Sequence, residues 1–156
     1  MAVLGNTIYS GSAFIGAGSS NVVEGDQSFI GAGSANKIAG ARSFIGSGNE
    51  NKITNGASNA VIGGGYVNNI DATSGDYSGI FCGYINTITG ESSSESVIVG
   101  GRGNKLTSTE YSFIGGGFGN EINPTDYSVI VGGNVNKITA TQSTSFIGGG
   151  TGKHNI

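Results

Sequence analysis

Ser112-Phe113-Ile114-Gly115-Gly116-Gly117-Phe118-Gly119-Asn120-Glu121-Ile122 is the stretch that decides the fold of this chain. An apolar pair stands beside a run of glycines, and an Asn-x-Ile triplet follows. The same order of residue types recurs from one end of the chain to the other. With the residue that opens each apolar run set to position 0, it falls at Phe14, Phe29, Phe44, Val61, Gly79, Val97, Phe113, Val129 and Phe146. The intervals are 15, 15, 17, 18, 18, 16, 16 and 17 residues. Nine units therefore cover nearly all of the 156 residues, and Asn6-Thr7-Ile8 matches the second half of a tenth. Periods of this kind belong to repeat arrays, in which each unit buries its apolar face only by stacking on its neighbours.

Position +1 is Ile in all nine units. Position +4 is Gly in all nine: Gly18, Gly33, Gly48, Gly65, Gly83, Gly101, Gly117, Gly133 and Gly150. Position +7 is Asn in the first eight: Asn21, Asn36, Asn51, Asn68, Asn86, Asn104, Asn120 and Asn136. Position +9 is Ile in six of those eight, with Val23 and Leu106 in the other two. Residues −1 to +3 read as one short strand. Residues +7 to +9 read as a second, with Asn and Ile on one face and the +8 residue pointing outward, often charged (Lys37, Lys52, Lys105, Glu121, Lys137). That alternation is the period of two of a strand. Glycine this dense, with no stripe at helical spacing, excludes a helix. The Gly at +4 marks a turn with positive φ or a close neighbouring coil. The variable tails, such as residues 54–59 and 71–77, absorb all length variation and read as surface loops.

Two short strands per coil of 15–18 residues, stacked coil on coil, make an all-β parallel β-solenoid, or β-roll. Successive coils pair at roughly 4.8 Å, so nine give a rod of about 40–45 Å. Stacked Asn side chains form a ladder that hydrogen-bonds along the rod and satisfies buried amides. Residues 1–156 are expected to form a single solenoid domain of nine coils plus the partial N-terminal one. No polar cap is visible at either end, so the expectation is a segment of a longer fibre or a subunit that polymerises end to end.

Positions 0 and +2 share a face of the first strand and trade volume. Phe at 0 goes with Gly at +2 in Phe14/Gly16, Phe29/Gly31, Phe44/Gly46, Phe113/Gly115 and Phe146/Gly148, whereas Gly79 goes with Phe81. Val97/Val99 and Val129/Val131 are balanced, and Val61/Gly63 is the one small pair. Such compensation belongs to a close-packed space of fixed size. The opposite face carries the Ile at +1 and small residues at +3. A thin coil has one interior. Ile at +1 and +9 is expected to fill it, while the Phe/Gly face meets another copy of the chain.

Composition agrees. Gly supplies 31 residues, about a fifth, against a usual level of roughly 7%. One Pro and no Gly at every third place exclude collagen, and a lone Cys excludes a disulfide scaffold. An apolar share of 36% with net charge −3 speaks against disorder. Seven Lys and Arg against ten acids give no basic field for nucleic acid. The first residues carry no basic and apolar leader, and no apolar run is long enough to insert into a membrane.

The repeat, on the residues of the opening stretch, resembles the head repeats of trimeric autotransporter adhesins, and similar repeats occur in bacteriophage tail-fibre shafts. The resemblance covers nearly all of the chain. It implies a homotrimer of left-handed β-rolls forming a stiff rod for attachment, joined to further fibre segments at both ends. It also implies an extracellular place, on a virion tail fibre or a bacterial cell surface, and a glycan or protein receptor. This unit departs from the family in being longer and more variable, and in its Asn-x-Ile second strand.

Residues for catalysis are sparse, and the chain is expected not to be an enzyme. His154 is the one imidazole, the third residue from the end of the sequence, and reads as a terminal surface residue. Cys82 stands at +3, where other units have Gly, Ala or Ser, and reads as a small packing residue. The Gly-x-Gly-x-x-Asn runs lack the Gly-Lys-Ser/Thr ending and following helix of a phosphate loop. A calcium-binding nonapeptide is likewise missing. Asp71, Asp76, Glu91, Glu95 and Asp126 in the tails read as solvated loop acids rather than a cation site, and no cofactor or metal is expected. Candidate surface-recognition residues are the tail tyrosines Tyr77, Tyr111 and Tyr127, with Tyr66, Tyr84 and Phe118 in the first turn. They can stack on sugar rings or cover the edge of the neighbouring coil, and amphipathic aromatics favour the second role.

An attachment fibre is the leading expectation. An ice-binding solenoid needs a regular Thr array, and position +10 offers Thr54, Thr89, Thr107 and Thr139 broken by Glu24, Ala39, Asp71 and Asn123. A carbohydrate-binding or lyase-type solenoid, a self-polymerising extracellular filament and a hexapeptide-helix acyltransferase are the other classes. The period and the single His speak against the last.

Overall fold

Pairing between equivalent positions of successive coils organises the molecule. The computed structural model of the chain describes residues 5–54, 56–73, 77–139 and 144–155; Asn55, Asp76 and their neighbours in the tails lie outside the described residues, as does Ile156. Within them the chain is an all-β parallel β-solenoid with two short strands per coil. One strand occupies 0 and +1, as in Phe29–Ile30, and the other +8 and +9, as in Lys37–Ile38. The first kind forms a nine-stranded sheet, here called sheet B, and the second a ten-stranded sheet, sheet A. Sheet A runs from Thr7–Ile8 to His154–Asn155, so the partial N-terminal unit takes its place in the array.

Register follows the repeat. Phe29 lies opposite Phe44, Ile30 opposite Ile45, and Lys37 opposite Lys52. Gly79, the weakest match in the alignment, sits in line between Val61 and Val97. The strands are shorter than the alternation implied, because the chain turns again at +4. The longer strands Asn69–Ala72 and Thr87–Gly90 fall in the two 18-residue units, where the longer tail lets pairing continue before the turn.

A third line of pairing was not expected from the sequence. The +5 residues, from Ser19 to Thr151, join coil to coil through isolated parallel bridges. The coil is thus three-sided, with corners at +4, +6 and −2. At +4, glycine has φ between 87° and 115°, and in every such coil before Gly150 a Cβ would also overlap the backbone of the next coil's glycine. Both reasons for glycine hold at once. At +6 even Val67, Ile85 and Val135 take left-handed φ of 52–55°, uncommon for β-branched residues. The −2 corner is left-handed from Gln27 to Thr144. The corners at +6 and −2 turn the peptide over. Strand N–H groups donate to the following coil, as Phe29 N to Ser43 O at 3.0 Å, whereas Ile85 N donates back to Tyr66 O at 3.0 Å and Arg42 N to Asp26 O at 2.7 Å. Each coil is therefore bonded in both directions.

The interior is a double column of Ile from +1 and +9, fully buried from Ile30 and Ile38 through Ile130 and Ile138. Each contributes about 1.5–3 kcal/mol by leaving water. The Asn column at +7 closes one edge of this core. Asn51 shows its full set: Nδ2 donates to Asn36 Oδ1 at 3.1 Å, to Ser47 O at 3.2 Å and to Gly65 O at 2.9 Å, while its N–H donates to Asn36 Oδ1 at 3.0 Å. From Asn86 onward the carbonyl contacts and the N–H bond to the preceding Oδ1 carry the column. Asn6 starts it and the N–H of Lys153, which replaces Asn, ends it. A second ladder of buried serines at −1 closes another edge. Ser112 Oγ donates to Thr125 O at 3.1 Å and accepts from Ser128 N at 3.2 Å.

Candidate functional site

With the interior filled by Ile, the coil offers its outward faces to a partner, and its geometry makes each a column one residue wide per coil. The first is the outer side of sheet B. Phe14, Phe29 and Phe44 stack with ring centroids 5.3 and 5.4 Å apart. Phe14, Phe81, Val131 and Phe146 are each about half exposed or more, at 55, 55, 49 and 68%. The volume trade has a local cause: each Phe ring at 0 lies over the glycine at +2 of its own coil, where a Cβ would stand 3.3–3.4 Å from the ring in Phe29/Gly31, Phe44/Gly46 and Phe113/Gly115. In this single chain the face that the sequence marked as buried is open, and it is apolar along the rod.

The second column is the +5 line, which brings Tyr66, Tyr84 and Phe118 together. Tyr66 and Tyr84 stack at 5.3 Å with planes 6° apart. Arg102 continues the column, its guanidinium 5.1 Å from the Tyr84 ring and 5.7 Å from the Phe118 ring. Sequence reading found the three aromatics and missed Arg102, although its place at +5 was countable. Both faces of Tyr84 are occupied, by Tyr66 on one side and Arg102 on the other. The column therefore presents ring edges and hydroxyls, and is better suited to hydrogen bonding than to stacking on a sugar ring.

The third column is the −2 corner, which holds Tyr77, Glu95, Tyr111 and Tyr127 in successive coils, all left-handed. Tyr111 and Tyr127 stack at 4.9 Å with planes 8° apart. Tyr77 is separated from them by Glu95. Glu95 holds the same corner in the coil before Tyr111, and its carboxylate, first by hydrogen bonding and then by its charge, holds the Tyr111 phenol pKa above the usual tyrosine range. The two sets of candidate aromatics thus lie on different lines of the rod.

The outer side of sheet A is charged. Lys37 pairs with Glu24 at 2.8 Å and Lys137 with Glu121 at 3.3 Å. Thr89 and Thr107 hydroxyls meet at 3.5 Å, but Asp71 and Asn123 interrupt the threonines of +10. His154 sits at the last strand of this face, 2.8 Å from Thr139 Oγ1. Cys82 is exposed, and its thiol donates to Val99 O at 3.4 Å. Asp126 accepts from Glu110 N at 2.8 Å, so this acid fixes a loop. Glu91 is exposed, and Asp71 lies in strand Asn69–Ala72. Among the described residues no three His, Cys, Asp or Glu side chains gather in the manner of a metal site.

No protein-family model matches the chain, and no curated protein matches it.

Proposed function

We propose that the chain is a structural segment of an extracellular attachment fibre: a rigid rod of three parallel copies, carried on a bacteriophage tail fibre or a bacterial surface adhesin, with further fibre segments beyond it and a surface glycan or protein as receptor. The observation that carries this reading is the apolar column on the outer side of sheet B, which runs from Phe14 to Phe146 beside a core already filled by Ile. Soluble monomers rarely expose a contiguous apolar strip of that length. A rod with three such strips turned to a common axis removes them from water and leaves the polar sheet A, the corners and the tails outside. The regular coil, the sparse titratable side chains and the resemblance to adhesin and tail-fibre repeats support a role in attachment rather than catalysis.

Sedimentation equilibrium of the intact chain tests the assembly. A particle of three chains is expected, and a monomer at all concentrations overturns it. Binding of the labelled chain to bacterial cells, together with a glycan array, tests attachment. Saturable binding is expected, and none to any surface overturns the receptor-binding part of the proposal.

A further inference from the structure

At the −2 corner the coil places two phenols face to face with a carboxylate beside one of them. Tyr111 and Tyr127 come from adjacent coils, in register, with centroids 4.9 Å apart and planes 8° from parallel. Both are about half exposed, so an oxidant can reach them and the rings have room to tilt. Their backbones are tied together: Tyr127 N donates to Glu110 O at 2.9 Å, and Asp126 Oδ1 accepts from Glu110 N at 2.8 Å, joining the residues that precede the two tyrosines. The one coil-to-coil step between them is held rigid while the side chains stay outside.

We propose that Tyr111 and Tyr127 are a site of oxidative cross-linking, coupled to dityrosine by a one-electron oxidant such as a peroxidase with hydrogen peroxide, with Glu95 as the base that takes the Tyr111 proton. Each phenol gives up one electron and its O–H proton. The two phenoxyl radicals join through one new bond between ring carbons ortho to the oxygens. The hydrogens displaced from those carbons leave as protons and the oxygens are reprotonated, restoring two phenols. The pair loses two hydrogen atoms in all, and one hydrogen peroxide becomes two waters. A phenol loses an electron far more readily when its proton has somewhere to go, and the Glu95 carboxylate stands at the same left-handed corner in the coil before Tyr111. Near-parallel stacking then sets the ortho carbons of one ring against those of the other, and proximity turns a bimolecular radical coupling into a local one.

The other tyrosines are internal controls. Tyr66 and Tyr84 also stack, at 5.3 Å, but their neighbour in the column is the cation Arg102, which takes no proton. Tyr9 and Tyr77 have no tyrosine at the same position in an adjoining coil. The product is a covalent staple between successive coils on the tail edge, where the coils differ in length and the strands do not reach. The inference stands whether or not the chain is an attachment fibre.

The test is oxidation of the intact folded chain at low concentration by peroxidase and hydrogen peroxide, followed by cleavage after glutamate. Cuts after Glu110 and Glu121 part Tyr111 from Tyr127. The expected product is the peptide carrying Tyr111 joined to the peptide carrying Tyr127, two hydrogen atoms lighter than their sum, with the blue fluorescence of dityrosine. On a denaturing gel the chain stays at single-chain size. Tyr127→Phe, which keeps the stack, should abolish this product, and Tyr111→Phe should do the same. Glu95→Gln should slow it several-fold without slowing any Tyr66–Tyr84 product. Cross-links chiefly between chains, a product dominated by Tyr9 or Tyr77, or equal yield from chain oxidised in denaturant would each overturn the site. An unchanged rate in Glu95→Gln would overturn the role of Glu95.

Discussion

Single positions in this chain carry a demand repeated in every coil, so a substitution at one of them reports on all. Gly83 has φ +113°, and a Cβ there would overlap the carbonyl of Gly101 and crowd Asn86 Nδ2. Gly83→Ala should lower the unfolding free energy by about 3 kcal/mol, the sum of a left-handed penalty and overpacking. Gly103 has φ +65° with nothing near its absent Cβ. Gly103→Asn should therefore change stability by less than about 1 kcal/mol, because Asn tolerates this region. Denaturant unfolding of the two variants separates them. Asn86 tests the ladder: its Oδ1 takes the N–H of Asn104 at 2.9 Å and its Nδ2 reaches Gly101 O at 3.0 Å. Asn86→Leu strands that N–H inside the rod and should cost about 2–4 kcal/mol by the same measurement. Tyr111 contributes a pH dependence. Its folded pKa is raised, first by the hydrogen bond with Glu95, so the bond contributes below the ordinary tyrosine range and is lost as pH rises through the raised value. Ultraviolet titration should show the Tyr111 phenol ionising at lower pH in Glu95→Gln than in the parent chain. The Asn and Gly columns were legible because identity at +7 and +4 is the same in every unit. The serine ladder was harder to see: Ala13 and Ala60 interrupt it, and a hydroxyl at a strand edge looks like any surface serine.

At the scale of the strand and the column, periodicity gave the two sheets and their register, including the awkward unit at Gly79. It did not give strand length. Strands stop after two residues because +4 and +6 are left-handed corners, and Val67, Ile85 and Val135 at +6 carry no sign of that conformation in their identity. Their turn is imposed by the N–H bonds to the preceding coil, a tertiary cause that local propensity does not register. For the same reason the +5 line stayed unseen as a backbone pairing, and its aromatics read as scattered turn residues until Arg102 linked them. The apolar column on sheet B is where element and assembly meet. Phe29 stacks between Phe14 and Phe44 and sits outside the Ile core. Phe29→Asp should therefore cost the isolated chain only about 1 kcal/mol, the worth of an exposed aromatic contact. If that face is shared between copies, the same change places a carboxylate in an apolar seam and should convert the sedimenting particle to a folded monomer. A variant that keeps three chains together would show that the copies meet elsewhere.

For the whole molecule, each coil touches only the coil before and the coil after, so stability is a sum of coil and interface contributions along one dimension. Such an object should tolerate loss of a whole unit and not of half of one. The chain offers a clean case. Removing residues 29–43 joins Ser28 to Phe44 and leaves every remaining position in phase: Phe14 then faces Phe44, Asn21 faces Asn51, and the core loses Ile30 and Ile38 as a pair. Neighbours on both sides of the cut are the same residue types as those removed, so no unlike coils are forced together. The shortened rod should fold with unchanged strand content, and its denaturant m-value should fall by roughly a tenth, in step with the surface it no longer buries. Removing residues 29–36 instead joins Ser28 to Lys37, sets a sheet A strand where sheet B should continue, and breaks the Asn ladder at Asn36. That variant should lose cooperative unfolding. Circular dichroism with denaturant melts of both deletions decides the point, and a half-coil deletion that melts as sharply as the whole-coil one would show that the repeat is not the folding unit.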